Sequence, residues 1–308
     1  MTDGSGLVVV DKPAGWTSHQ VVARVRRLLG TRKVGHAGTL DPMATGVLLV
    51  GVNRATRLLG HLAGHDKTYE ATIALGASTV TDDAEGELVE WRGAAGVGEA
   101  DVRAALGEFT GLISQVPSSV SAIKVDGKRA YARVRAGEQV ELKAREVTVS
   151  RFEVTAVRES AAFGWIGGVA TEGPLLVLDV QVDCSSGTYI RALARDLGRR
   201  LGTGGHLTAL RRTRVGGFDL SLVGLDAGGL AGDAAPPLLG LAEVARRSFA
   251  VAEVTEAQAR DVGYGRALEL ALPADPTALL RDGELLALYR PDPDGLAHPV
   301  AVLAPASC

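Results

Sequence analysis

Residues 35–46, GHAGTLDPMATG, constrain this chain more than any other stretch. They join a basic segment that reads as helix to an apolar one that reads as strand. Gly35 and Gly38 allow backbone angles that a side chain would forbid. Pro42 biases Asp41 away from the helical region and fixes the chain beyond it. The loop can therefore hold one carboxylate rigidly. An Asp-Pro pair alone is ordinary turn punctuation, so the rest of the chain must say whether Asp41 does chemistry.

Around this loop the periodicities alternate without a regular βαβ rhythm, which predicts an α+β chain with a mixed, largely antiparallel central sheet. Leu7–Val10 reads as a strand ended by DKPAG. Thr17, with Gln20 three residues on, predicts a capping box opening a helix whose stripe is Val21, Val22, Val25, Leu28 and Leu29, closed by Gly30. Gly46–Val52 reads as a strand, and Ala55–Leu62 as helix. Lys67–Leu75 alternates with Tyr69, Ala71, Ile73 and Leu75 on one face, the pattern of a half-buried strand. Ala100–Phe109 reads as helix, Gln115–Arg151 as an inserted polar and basic lobe, and Leu175–Cys184 as a strand. SSGTY then turns into a helix with the stripe Ile190, Leu193, Ala194, Leu197 and Leu201. The Gly/Pro-rich run at 228–237 marks a boundary. Domains are expected at 1–245, with the lobe about 115–151, and at 246–308, a small β module.

A net charge of −3 does not announce a nucleic-acid binder. Its distribution says more, because basic residues gather at Arg24–Lys33, Lys124–Arg151 and Arg191–Arg214, while the end of the chain is acidic. Three basic clusters near one candidate site suit a polyanionic substrate. Cys184 and Cys308 make neither a disulfide framework nor a zinc site and fit free thiols in a reducing cytoplasm. No signal peptide and no apolar run of about 20 residues is present, so no membrane span is expected.

A catalytic carboxylate in a pocket that excludes water needs a cation beside it. Arg191 is a candidate, off the apolar stripe at the start of its helix; the plain alternative is a surface arginine. Tyr69 is either a core tyrosine or a ring that stacks on a base and offers a phenol for proton transfer. His36 is either a solvent-facing loop residue or a group that stacks or donates to phosphate. There is no P-loop and no GxGxxG fingerprint. His61 and His65 are four apart but lack the Glu of a zincin helix, so no metal is expected.

Six motifs in fixed order carry a resemblance. DKPAGWTS (Asp11–Ser18), GHAGTLDPMATGVL (Gly35–Leu48), KTYEATIALG (Lys67–Gly76), SAIKVDGKRAY (Ser121–Tyr131), GTYIRALARDLG (Gly187–Gly198) and HLTALRRTRVGGF (His206–Phe218) resemble the TruB-type tRNA pseudouridine synthases. The similarity spans residues 7 to about 220, and the tail is more weakly similar to a PUA-like module. The resemblance implies the pseudouridine synthase fold and isomerisation of uridine 55 in the T loop of tRNA. Base flipping, glycosidic cleavage and carbon–carbon rejoining follow, with no cofactor. It also implies a role as a tRNA folding chaperone, a monomer with no obligatory protein partner, and a cytoplasmic location.

By the same resemblance Asp41 is the catalytic aspartate, Tyr69 the tyrosine that stacks on the flipped base, and Arg191 the arginine paired with the aspartate. His36 wedges into the T loop, Tyr189 and Leu210 line the uridine pocket, and Lys12 belongs to a Lys-Pro motif. Lys124, Lys128, Arg129, Arg133 and Arg135 fall in an RNA-gripping lobe, with Arg211 and Arg212 as further RNA contacts. Two departures stand out: Val80 replaces an aspartate in the acidic loop TVTDD, and the tail is acidic where an RNA-binding module would be basic. An acidic tail suits a brace for the catalytic part. Two other functions fit the same basic surface, a guide-RNA-dependent relative and a chaperone without chemistry. A basic tail would favour the first, and only the second has no need of Asp41.

Overall fold

The structure, a computed structural model, describes residues 4–118, 124–125, 128–129, 143–166, 169–293 and 295–304. By compactness the chain forms two units, Met1–His65 with Arg214–Cys308, and Asp66–Thr213.

The first unit opens with β1 (Gly6–Lys12), α1 (Ser18–Leu28), β2 (Val34–Ala37), β3 (Thr45–Val52), a 3₁₀ turn at Asn53–Leu58, and α2 (Leu59–Ala63). The capping box of α1 is formed: the Gln20 amide donates to the Thr17 hydroxyl, and the Thr17 amide donates to the Gln20 side chain. Gly30 follows the C-cap with φ +62°, the left-handed turn that glycine adopts without a Cβ penalty. β3 pairs antiparallel with β1 from Gly6↔Val52 to Lys12↔Gly46, and with β2 from Val34↔Val52 to Ala37↔Leu49. His36 is thus on a strand rather than in the expected loop. Gly35 leaves room there for the tip of the Leu59 side chain, which a Cβ would meet at 2.8 Å. Gly38 (φ +74°) supplies the angle that leaves the strand.

The second unit holds β4 (Lys67–Leu75), β5 (Ala77–Thr79), β6 (Leu88–Trp91), α3 (Glu99–Leu106), β7 (Gly111–Gln115), the two-residue strands β8 (Lys124–Val125) and β9 (Lys128–Arg129), β10 (Arg145–Ile166), β11 (Val169–Cys184), α4 (Ile190–Arg200) and β12 (Gly205–Val215), whose last two residues pass into the first unit. The strand order is β12–β4–β11–β10–β7. β11 pairs antiparallel with both β4 and β10, and β7 with β10. Arg145–Arg151, expected inside the inserted lobe, is instead the start of β10 and pairs back to Gly111–Gln115 from Arg145 to Val149. The lobe residues Arg133 and Arg135 lie outside the described residues, as do the side chains of Lys124, Lys128 and Arg129.

The chain completes the first unit with β13 (Phe218–Asp219), α5 (Ala227–Ala231), α6 (Leu241–Ser248), β14 (Ala250–Glu253), α7 (Glu256–Gly263), β15 (Thr277–Arg281), β16 (Glu284–Pro291) and β17 (Ala297–Val302). The last four strands form a sheet in the order β14–β15–β16–β17, with β14 and β15 parallel and the other pairs antiparallel. Alternation gives this sheet two apolar faces. Leu279, Ala287 and Tyr289 pack with Val262 of α7. Ala278, Leu280 and Leu288 join one core with Leu7, Val9, Val47, Leu49, Leu58, Leu62 and Val244. Arg54 and Arg57 donate to the carbonyls of Leu303 and Val302, fixing the end of the tail. The tail thus braces the strands on either side of the Asp41 loop. Among the described residues no helix is long and apolar enough to cross a membrane.

Candidate active site

Asp41 is half-buried, and the residues on either side of it are pinned to the turn after β1. The Ser18 hydroxyl accepts from the Leu40 amide at 3.0 Å and lies 3.2 Å from its carbonyl. The Pro42 carbonyl accepts from the Gly15 amide at 2.9 Å and from the Lys12 ammonium at 3.1 Å. Lys12 is fully buried, and it also donates to the carbonyls of Pro13 and Trp16. A buried ammonium is tolerated only when its protons are taken up, and here three carbonyls do so. Lys12, expected at the substrate, is a rivet for the loop. His36 lies edge-on to His19, with ring centroids 5.4 Å apart. The spaced pair His61 and His65 flanks the Phe249 ring at 6.1 Å each, so its role is packing of the tail.

In the second unit Arg191 is 6% exposed and not the surface residue its place off the stripe allowed. Its guanidinium donates to the Thr81 carbonyl at 2.8 Å and pairs with Asp83 at 3.4 Å. The Asp83 carboxylate also accepts from the Thr81 hydroxyl and the Glu85 amide. Its neighbour Asp82, in the left-handed region at φ +60°, pairs with Arg195 at 3.2 Å, one helical turn beyond Arg191. Two adjacent aspartates thus hold two arginines on successive turns of α4. Val80 points its side chain to solvent, so its departure from the acidic pattern leaves these bonds intact.

Tyr69 is buried on β4 opposite Val182 of β11, and Leu210 is buried on β12. Tyr189 is half-buried and forms the N-cap of α4. Arg212, expected to contact RNA, is 1% exposed, because strand alternation puts it on the same inward face as Leu210. Arg211 is half-buried.

Burial, then the nearby Arg212, lowers the Lys67 ammonium from 10.5 to about 8. Its folded value lies below its unfolded one, so the unfolded chain binds the extra proton between pH 8 and 10.5 and stability rises with pH in that window. Cys184, pushed by burial from 9.0 to about 11, works the opposite way between those values. The isolating comparison is therefore wild type against Lys67→Met. We predict that, from pH 8 to 10.5, wild type gains stability relative to the variant in urea unfolding. A difference that stays constant with pH would refute this.

A second region was not anticipated. Thr31, Arg32, Lys33, Asn53, Arg54, Thr56 and Arg57 line a surface cleft of the first unit with no acidic side chain among them. The tail carbonyls that accept from Arg54 and Arg57 orient these guanidinium groups without neutralising them. The Thr31–Lys33 side borders the end of β2 opposite the Asp41 loop. The sequence signal was present in Lys33 and Arg57, but they are 24 residues apart and meet only through the β2–β3 pairing.

Comparison with known proteins agrees with the motifs. Residues 26–190 match the TruB family pseudouridylate synthase N-terminal domain, and residues 191–227 the tRNA pseudouridylate synthase B C-terminal domain. The chain is 57% identical to tRNA pseudouridine synthase B of Cutibacterium acnes, over 97% of this chain and 98% of that one. It is 55% identical to the enzyme of the same name from Thermobifida fusca, over 97% and 98%. Among solved structures, that of a Cbf5-Nop10-Gar1 complex is similar at a TM-score of 0.65 and 25% identity, covering 93% of this chain and 78% of the other. An H/ACA RNP bound to a substrate RNA containing 2′-deoxyuridine shares the fold at a TM-score of 0.65 and 23% identity, over 97% and 85%. The pinned aspartate loop, the buried arginine and these matches lead to one conclusion: the chain belongs to the TruB family of tRNA pseudouridine synthases, and it is an isomerase acting on tRNA.

Proposed function

We propose that the enzyme converts uridine 55 of the tRNA T loop to pseudouridine, acting alone as a cytoplasmic monomer on the T-arm stem-loop. The observation that carries this reading is the Asp41 loop, clamped at Leu40 and Pro42 so that one carboxylate is held in place before substrate arrives. Preorganised charge of this kind stabilises a transition state without reorganisation at the moment of reaction. Asp41 attacks the ribose or promotes glycal formation; both courses need the ionised carboxylate, and Arg191 serves as its cation in the reacting complex. Tyr69 stacks on the extruded uracil, Tyr189 and Leu210 shape its pocket, and His36 takes the space the base leaves in the loop. Extruding a base from folded tRNA costs a few kcal/mol, which stacking and pocket contacts offset. The same RNA contacts serve a folding-chaperone role.

The test is a tRNA transcript carrying tritium at uracil C5. One equivalent released per tRNA, and none from a transcript with cytidine at position 55, supports the assignment. Undiminished release from the cytidine transcript rejects the position, and no release from either rejects the activity.

The cationic cleft fits the phosphate backbone of the same substrate. We predict that Lys33→Glu with Arg57→Glu weakens tRNA binding more than about tenfold at low salt. It should also flatten the plot of log affinity against log salt by roughly 0.7–0.9 for each phosphate that the protein no longer neutralises. Both residues are exposed, but Arg57 also donates to the Val302 carbonyl, so a thermal melt of the variant runs beside the binding assay to show that the tail stays in place. An unchanged slope in filter binding would remove the cleft from the interface.

A further inference from the structure

Helix α4 begins under two handicaps. Its N-cap is Tyr189, and no side chain there caps the first amides. Its first turn holds no acid but does hold Arg191, a positive charge at the positive end of the helix dipole. The entry to the helix must be held from outside. Gln115, the last residue of β7, does this. Its side-chain nitrogen donates to the Tyr189 carbonyl at 3.0 Å, and its side-chain oxygen accepts from the Tyr189 amide at 2.8 Å. One planar amide thus grips both backbone groups of one residue and fixes how that residue is turned. Gln115 is 2% exposed, so water competes little for either bond.

The residues that follow reinforce the grip. The Val116 carbonyl accepts from Arg195 at 2.7 Å, and the Ser118 hydroxyl donates to Asp82 at 2.6 Å, the same carboxylate that pairs with Arg195. Residues 115–118 therefore run as a strap over the first two turns of α4. Arg195 and Arg191 are held by the adjacent Asp82 and Asp83, while Gln115 grips the backbone where the helix starts.

We propose that Gln115 is a positioning residue for the isomerisation, setting the orientation of the Tyr189 ring and of Arg191. The proposal rests on the functional reading of those two residues. It needs no contact between Gln115 and RNA, so its signature is a loss in the chemical step with substrate affinity kept.

The experiment uses the full chain and the C5-tritiated tRNA transcript in single turnover, with enzyme in saturating excess. Gln115→Met keeps volume and loses both hydrogen bonds. Its rate constant on bound tRNA should fall roughly 10- to 100-fold, the scale of a slightly misplaced group, while filter binding stays within about twofold of wild type. Because enzyme is in saturating excess, a partly misfolded preparation that still saturates the RNA leaves the rate constant unchanged. A variant that melts lower but reacts at the wild-type rate overturns the proposal, since Gln115 would then serve stability alone. Lost affinity with an unchanged rate on bound tRNA overturns it too. If wild type itself releases no tritium, the functional reading fails and the proposal with it, an outcome the wild-type arm separates from the others.

Discussion

Asp41→Asn is expected to bind tRNA within about twofold of wild type and to lose tritium release by on the order of 10³-fold or more. The prediction is sharp because the substitution leaves the loop's fastenings alone. The Ala44 amide bonds to the Asp41 carbonyl, Ser18 holds Leu40, and Gly15 and Lys12 hold Pro42, all through backbone groups that asparagine also has. Those backbone bonds persist while the charge is removed. A thermal scan beside the kinetic assay separates any change in stability from the loss of chemistry. Release within tenfold of wild type would mean that another group performs the cleavage.

The largest effect on stability is expected from Arg191→Met. The Asp83 side chain is 4% exposed, and the variant strips it of the cation it faces. Breaking one side of a buried ion pair costs about 3–5 kcal/mol, because the remaining charge stays out of water. Arg191→Lys keeps charge but cannot present a planar fork to both the Thr81 carbonyl and Asp83. The double variant Arg191→Met with Asp83→Asn separates structure from chemistry: most of the lost stability should return, since no unpaired charge remains, whereas activity should not. Denaturant midpoints and single-turnover rates give the two readouts. Recovery of both together would show that Arg191 matters only as the partner of Asp83.

The sequence showed what local periodicity can show. The capping box of α1, the strand Lys67–Leu75 and the start of α4 all stand where the pattern put them. What it hid were residues whose environment comes from distant segments. Arg191 sits off the apolar stripe of α4, yet the first turns of that helix are buried nearly all round, the polar position being filled by an ion pair from residues 81–83. A helical stripe registers apolar partners and is silent about such pairs. Lys12 reads from the sequence only as part of a Lys-Pro motif at the substrate; it is fully buried, because carbonyls of its own turn and that of Pro42 converge on its ammonium. Gln115 read as the first residue of a polar lobe; its pairing with Arg145 places it in the sheet. The alternation of Leu210 and Arg212 on one strand was a visible sign that Arg212 faces inward.

The two units also differ in how the ribosome delivers them. Residues 66–213 are contiguous, so that unit is fully synthesised while the final strands are still to be made. The other unit draws its core from both ends of the chain, with Leu7 and Val9 packed among Ala278, Leu280 and Leu288. That core is complete only once translation has passed residue 288, long after its first 65 residues are made. At about 5–20 residues per second that interval is on the order of ten seconds or more. The tail's late arrival is therefore the step that completes the core under the strands that flank the aspartate loop.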